Sequence, residues 1–376
     1  MRVGLVTTGF PRFEGDCSGA FLLTLARGLV SNGHSVRVLA PEPRRRRDTP
    51  RWPGIELSWV PYARPRSLQR TFYGSGAPDN LRLQPGRWAG AASFIAALHR
   101  ASARELSDCD ALVSSWCLPS GWVASKNAAG RAHLCICHAT DVRWLSKMPA
   151  GGAIAREILA GASSLWFLST TLRDRFFARA GLDPSRTTCH VGSMPIEAPR
   201  HLSETRDRIR QRLGIQGFTL LFLGRLVPVK GLDRLLRALA ELPEPVGIRV
   251  AGDGPERPRL QALARRLGID ASFEGWVSGE RKEVLLRACD AIVISSEPED
   301  GLPTVLFEAK ARGLPIISTA VGAIPENLGS HPDALLVPPH DPRALARAIQ
   351  QLRARHEEAQ PLLRARPAGF LWAGGS

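Results

Sequence analysis

The chain has 376 residues, 44% of them hydrophobic and 23% charged, with a formal net charge of +15. That composition excludes global disorder, the lack of any run of about 18 apolar residues excludes a transmembrane helix, and the length suits two domains better than one core. The charge is uneven: residues 1–200 hold 26 Lys/Arg against 14 Asp/Glu, a net +12, whereas residues 201–376 hold 24 against 21, a net +3. Arg outnumbers Lys 45 to 5; a GC-rich genome explains that ratio but not the asymmetry between halves. Such a surface attracts nucleic acid, anionic lipid headgroups or a phosphorylated substrate.

The N-terminus, MRVGLVTTGF, has one basic residue and a short β-branched run, so Val3–Thr7 is expected to be a first strand and not part of a secretory leader. Gly19–Gly33 follows as a helix with apolar positions Phe21, Leu22, Leu25, Leu29 and Val30, then Ser35–Ala40 as a strand. A Pro/Arg/Gly-rich stretch runs from Pro41 to about Pro85, interrupted only by Ile55–Val60; it is long for a loop and reads as a mobile or functional segment. Within it Arg44–Arg47 lies between prolines, so it is a loop and not a groove-reading helix. With no helix-turn-helix, zinc spacing or RRM-type aromatics, no nucleic-acid partner is expected. Next come helix Trp88–Glu105, strand Ala111–Ser115, a helix from near Ser120, strand His133–Cys137, helix Gly152–Ala160, strand Ser164–Leu168, helix Thr171–Ala180 and a strand at Thr188–Val191.

The polar segment Glu197–Glu204 reads as a linker. Beyond it strands are expected at Thr219–Leu223, Ile248–Ala251, Ser272–Glu274, Ala291–Ser295 and Pro315–Ser318, alternating with helices at Leu232–Glu241, Arg257–Leu267, Gly279–Arg287, Val305–Arg312 and Ala344–Glu357. Strands separated by helices imply parallel βαβ units. The expected fold is therefore α/β, with two Rossmann-like domains, residues 1–196 and 197–376, and a ligand cleft between them. The seven cysteines are odd in number and form no CxxC pair, which points to free thiols in a reducing cytoplasm. Cys135 and Cys137, two apart in a strand, should share a face.

Three stretches in the second half carry chemistry. Gly224-Arg225-Leu226-Val227-Pro228-Val229-Lys230-Gly231 places two cations in a turn between strand and helix, suited to an anion. Val250-Ala251-Gly252-Asp253-Gly254-Pro255 supplies glycines that allow close backbone approach. Asp300 stands at a loop before a helix and Glu308 eight residues on; a carboxylate beside a phosphate site suits sugar hydroxyls, although helix-dipole balance alone would also account for Asp300.

These stretches, with Phe273–Val277 (FEGWV) and Val321–Glu326 (VGAIPE), occur in an order that resembles the retaining glycosyltransferases of the GT-B fold, family four of the carbohydrate-enzyme classification. The resemblance covers nearly the whole second half and implies a hexosyl-transferring enzyme. It implies that Arg225 and Lys230 grip the donor diphosphate, that Asp300 (Glu in many members) meets the donor sugar, and that Glu308 binds the ribose. It places Gly224, Gly252, Gly301, Leu302 and Pro303 beside phosphate and sugar, and Trp276 and Val277 where the base is held.

In the first half, the loop Phe10–Phe21 resembles the family's glycine loop, with either Gly15 or Gly19 on the phosphate. Cys137-His138-Ala139-Thr140-Asp141-Val142 resembles an HGTDV stretch with Ala for Gly; it places His138 in the active site, while Asp141 either orients the acceptor or caps the next helix. Asn32–Val36 resembles a GHxV turn, which makes His34 structural, and Ser114 stands where a histidine is usual. The C-terminal Pro367–Ser376 is rich in helix breakers, so the usual crossing back onto the first domain is expected to be curtailed.

The implied activity is transfer of a sugar from a UDP- or GDP-sugar, with retention, to a glycan or lipid-linked acceptor in cell-surface polysaccharide or glycoconjugate synthesis. With no DxD motif, no metal and no cofactor are expected, the nucleotide sugar being a co-substrate. A non-catalytic sugar-nucleotide or glycan binder is the rival; phosphorylases and epimerases of related fold match less well. The basic first half then suits an anionic acceptor or an anionic membrane surface, with the enzyme cytoplasmic or peripheral on the inner face.

Overall fold

The computed structural model describes residues 1–16, 18–45, 51–74, 76–298, 301–329 and 331–364. Cys17, Arg46, Arg47, Asp300 and the C-terminal Pro367–Ser376 lie outside the described residues. The chain divides into two compact units, Met1–Glu197 and Ala198–Ser376.

The first unit has seven strands: β1 Arg2–Val6, β2 Ser35–Pro41, β3 Ile55–Val60, β4 Ala111–Ser115, β5 Ala132–Cys137, β6 Ser164–Phe167 and β7 Cys189–Val191. They form one parallel sheet in the order β3-β2-β1-β4-β5-β6-β7. Strands covered on both faces need near-continuous apolar sequence, and β1 (RVGLV) meets that need, buried from Val3 to Val6. Strand order reverses between β1 and β4, whose register pairs Val3 with Ala111 and Val6 with Ser114. Helix Trp88–Glu105 covers one face, packing Phe94 and Leu98 against Val6, Leu39 and Leu112. Phe94 also closes a ring cluster with Phe72 (4.3 Å) and Tyr62 (5.6 Å).

The second unit has six strands: β8 Thr219–Leu223, β9 Gly247–Ala251, β10 Ala271–Gly275, β11 Ala291–Ile294, β12 Ile316–Thr319 and β13 Ala334–Val337. Their order is β10-β9-β8-β11-β12-β13, again all parallel, with the reversal between β8 and β11. In such sheets the loops at the carboxyl ends of the strands flanking the reversal form the natural ligand crevice. Helix Leu232–Ala240 buries Leu232, Leu235, Leu236 and Leu239, and helix Pro342–Arg364 buries Leu345, Ile349 and Leu352 in the same core.

Several elements depart from expectation. The Pro/Arg/Gly-rich stretch holds a helix at Ala77–Leu83, started by Gly76 and a proline in its first turn. Helix Ala139–Lys147 begins directly after β5 with no loop to announce it. Helix Arg206–Arg212, capped by the Thr205 side chain, follows the expected linker at once, and its Ile209 is fully buried.

That helix is clasped to the second unit by Asp290. The buried carboxylate accepts from Thr219 N (2.8 Å), from Arg206 and from Arg210 Nη1 (3.0 Å). Removing one partner from a buried ionic group leaves the others unsatisfied. Asp290→Ala is expected to cost about 3 kcal/mol or more, read as a lower unfolding midpoint in urea; an unchanged midpoint contradicts the clasp.

Candidate functional site

At the carboxyl ends of the second unit's strands, five loops stack backbone against backbone. Gly252, after β9, has φ 147°, and a Cβ there would lie 1.8 Å from the Gly224 carbonyl oxygen after β8. Its N–H donates to Gly275 O, at the end of β10, at 2.7 Å. Gly254 leaves no room either: a Cβ would sit 2.3 Å from Leu226 O. Gly231 (φ 64°) caps helix Leu232–Ala240 with 2.0 Å between its virtual Cβ and Ser295 O after β11, while Ser295 Oγ donates to Lys230 O at 3.0 Å. Gly322, after β12, meets Gly301 O at 2.7 Å in the same sense.

The loop carrying Arg225 and Lys230 is shaped by this stacking. Gly224 N donates to Ala251 O and Leu226 N to Asp253 O, both at 2.9 Å, and Pro228–Lys230 forms one 3-10 turn. The Lys230 side chain runs past Gly224, its Cδ 3.9 Å from where a Cβ would be. Both cations are half-buried. Gly301 and Pro303 are buried and Leu302 half-buried.

Glu308 lies on the short helix Val305–Lys310. Its Oε1 accepts from Lys282 Nζ at 3.1 Å, whereas Oε2 is buried with no hydrogen-bond partner. A buried acceptor without a donor is costly, so this oxygen suits a hydroxyl brought by a ligand. Trp276 follows β10 and is 45% exposed, an indole standing at the rim; Val277 is buried, so its side chain packs inward. Glu297, just before the loop, is held by Arg234 (2.6 Å) and His340 (2.8 Å). Lys282 and Glu297 were not foreseen, because their partners lie 26 to 63 residues away and leave no local signal.

In the first unit the loops after β1, β4 and β5 converge. His138 is the N-cap residue of helix Ala139–Lys147, and its Nε2 pairs with Ser115 Oγ at 2.9 Å. Phe21 and Trp116 pack on its ring at centroid distances of 5.4 and 4.9 Å. Burial pushes the imidazole down to about 3, so it is neutral at pH 7. Asp141 is buried; Oδ1 accepts from His138 N and Val142 N, both 2.9 Å, and Oδ2 from Cys117 N. Of the two readings of Asp141 the geometry carries the cap. The carboxylate faces backbone N–H groups. Burial pushes its carboxyl up to about 7, against the pull of those N–H groups. Cys135 and Cys137 do share a buried face, with Sγ atoms 4.0 Å apart.

The glycine loop is built around Asp16, which is buried and paired with Arg12 through Nε (2.6 Å) and Nη2 (3.1 Å). Burial alone would raise this carboxyl, but Arg12 and the backbone N–H groups hold it below its ordinary value. Gly19 (φ 68°) is required by packing, since a Cβ would lie 2.3 Å from Gly9 O. Gly15 (φ 80°) occupies a turn. Ser114, at the position usual for histidine, bonds His133 Nε2 at 2.8 Å. Among the described residues no group of three or more His, Cys, Asp and Glu is arranged to hold a metal ion.

Two predictions follow from this packing and burial. Gly252→Ala should destabilise the second unit by roughly 3 kcal/mol, whereas Gly28→Ala, helical with nothing within 4 Å of a Cβ, should be neutral or stabilising by up to about 1 kcal/mol. Calorimetric Tm values check both. Burial also pushes His133 down to about 4. Below the unfolded value near ~6.5 the unfolded chain binds protons that folded His133 and His138 refuse, so these groups lose stability as pH falls, each by up to about 1.4 kcal/mol per pH unit. Asp141 opposes them, since a raised carboxyl favours the folded state at low pH and loses that contribution as pH rises through about 7. His133→Gln should therefore flatten the acid loss measured by urea unfolding between pH 7 and 5; an unaltered slope contradicts the burial argument.

Similarity to known proteins agrees with this architecture. The profile "Glycosyl transferases group 1" matches residues 205–363, and "Glycosyl transferase 4-like domain" matches residues 18–190. A relative from Bacillus subtilis (strain 168), provisionally named a teichuronic acid biosynthesis glycosyltransferase, is 27% identical over 95% of this chain and 90% of its own length. A D-inositol 3-phosphate glycosyltransferase from Nocardioides sp. is 31% identical over 54% of this chain and 49% of its own. The crystal structure of Anabaena HepE in complex with UDP-glucose superposes with a TM-score of 0.67 at 18% identity, covering 96% of this chain and 91% of that one. Two parallel α/β units and two matched family profiles make this chain a member of the group 1 glycosyltransferases, an enzyme of the GT-B fold.

Proposed function

We propose that the chain moves a sugar from a nucleoside diphosphate donor, with retention of configuration, to an anionic glycan or lipid-linked acceptor in cell-surface polysaccharide or glycoconjugate synthesis. The observation that carries this reading is the loop stack of the second unit, which bears Arg225 and Lys230, together with a buried, partnerless carboxylate oxygen on Glu308 in the helix after the β11 loop. Arg225 and Lys230 bind the diphosphate. As the bond from the sugar's anomeric carbon to the phosphate oxygen breaks, negative charge builds on that oxygen, and preplaced cations stabilise it more than the ground state. Glu308 Oε2 accepts a ribose hydroxyl and Trp276 offers its face to the base. Asp300, by resemblance, holds a hydroxyl of the donor sugar.

Retention requires the acceptor oxygen to enter on the face the phosphate leaves. The departing phosphate oxygen then takes the acceptor's proton, and no protein nucleophile forms a bond. His138 is neutral, so it positions sugar or acceptor hydroxyls by hydrogen bonding without adding charge, and Asp141 fixes its backbone. Gly15 is the glycine of the first loop left for phosphate, since Gly19 is accounted for by packing on Gly9. The relatives support an anionic acceptor: one is named for teichuronic acid, others for D-inositol 3-phosphate. The net +12 of residues 1–200 suits such an acceptor or the anionic membrane surface around it. No described helix is long and apolar enough to cross a membrane.

A thermal-shift panel of UDP-, GDP- and ADP-sugars should find one donor that raises Tm strongly. With that donor, Arg225→Ala and Lys230→Ala should each lower kcat by about 100-fold while leaving the ligand-free Tm within about a degree. Turnover near the wild-type rate in either variant removes the diphosphate assignment.

A further inference from the structure

Resting on the glycosyltransferase reading, one feature of the first unit points to where acceptor sugar lies. Trp88, the first residue of helix Trp88–Glu105, is 47% exposed and stacks on Trp144 with ring centroids 5.3 Å apart and planes 29° from parallel. Large exposed indoles are uncommon on a solvated surface, and two in contact form one flat apolar patch instead of scattered singles. Trp144 belongs to the helix that His138 caps, six residues on, which at 1.5 Å per residue is about 9 Å along the axis. That distance is about the span of two sugar rings.

The segment that leads into Trp88 is rich in cations. Residues 61–88 carry Arg64, Arg66, Arg70, Arg82 and Arg87 against the single acid Asp79. Two of these arginines are tied close to the ledge by backbone neighbours: Arg87 Nη1 donates to Asn80 Oδ1 at 2.6 Å on the helix that bears Arg82, and Thr71 Oγ1, next to Arg70, donates to Arg87 O at 3.4 Å. Arg70 and Arg82 are exposed, as is Lys147, one turn beyond Trp144 on its helix. The Pro/Arg/Gly-rich stretch is thus bonded, through Thr71 and Asn80, to Arg87 beside Trp88.

We propose that the Trp88–Trp144 ledge is the subsite for a sugar ring of the acceptor, and that Arg70, Arg82 and Lys147 favour acceptors bearing carboxylate or phosphate. A pyranose has a face of C–H groups and a rim of hydroxyls; the face stacks on indole and the charged substituent reaches the cations. A bilayer surface would also attract tryptophan and arginine, but the ledge's place on the His138 helix favours the soluble part of the acceptor.

The test is calorimetric titration of the full chain with a glucuronate-containing oligosaccharide and with an uncharged oligosaccharide of equal length, alongside UDP-induced thermal shift. Trp88→Ala should weaken glucuronate-oligosaccharide binding about tenfold, Trp88→Phe should restore most of it, and Arg70→Ala with Arg82→Ala should abolish the preference for the charged sugar. The UDP shift should persist in all three, because these residues belong to none of the loops assigned to the donor. Wild-type affinity in Trp88→Ala, no binding of the oligosaccharide by the wild type, or binding only to phosphatidylglycerol vesicles overturns the ledge. Loss of the UDP shift in the wild-type chain counts instead against the donor assignment, and the titrations still judge the ledge.

Discussion

The loop rim of the second unit rests on backbones that touch. Adjacent strands lie about 4.8 Å apart, and loops leaving them in parallel can share a rim only where no side chain wedges between. Gly252 against Gly224, Gly231 against Ser295, Gly254 against Leu226 and Gly322 against Gly301 all lack space for a Cβ. The path of the main chain therefore sets where Arg225 and Lys230 leave their loop. A cation positioned this way costs no reorganisation when charge develops on a leaving phosphate.

The first unit solves the same problem by different means. Its loops are held by buried side chains: Asp16 gathers the loop after β1, Asp141 joins the loops after β4 and β5, and Ser115 orients His138. These devices keep a neutral imidazole in an aromatic setting. The charge distribution differs in the same way, with a net +12 in residues 1–200 and a net +3 in residues 201–376.

The alternation of strands and helices was legible because parallel strands need continuous apolar runs and helices show their own period. Helix Trp88–Glu105 and strands Ala111–Ser115 and Thr219–Leu223 matched residue for residue. Three short helices were not, since Ala77–Leu83, Ala139–Lys147 and Ile324–Leu328 are too short to display a period and begin among glycine, proline or polar residues. β13 is four residues long and ends against two prolines. In the sites, motif residues could be read from local spacing. Their partners could not: Ser115 for His138, Cys117 for Asp141 and Lys282 for Glu308 meet only through sheet topology.

The central claim is that a nucleotide sugar is held by the stacked loops of the second unit. Hydrogen–deuterium exchange of the full chain, with and without the donor that stabilises it, reads this directly at the backbone. The prediction is slowed exchange in residues 224–231, 252–254, 275–277 and 301–308, with the loop around Gly15 the only further segment protected. Protection elsewhere with none in those segments would contradict it.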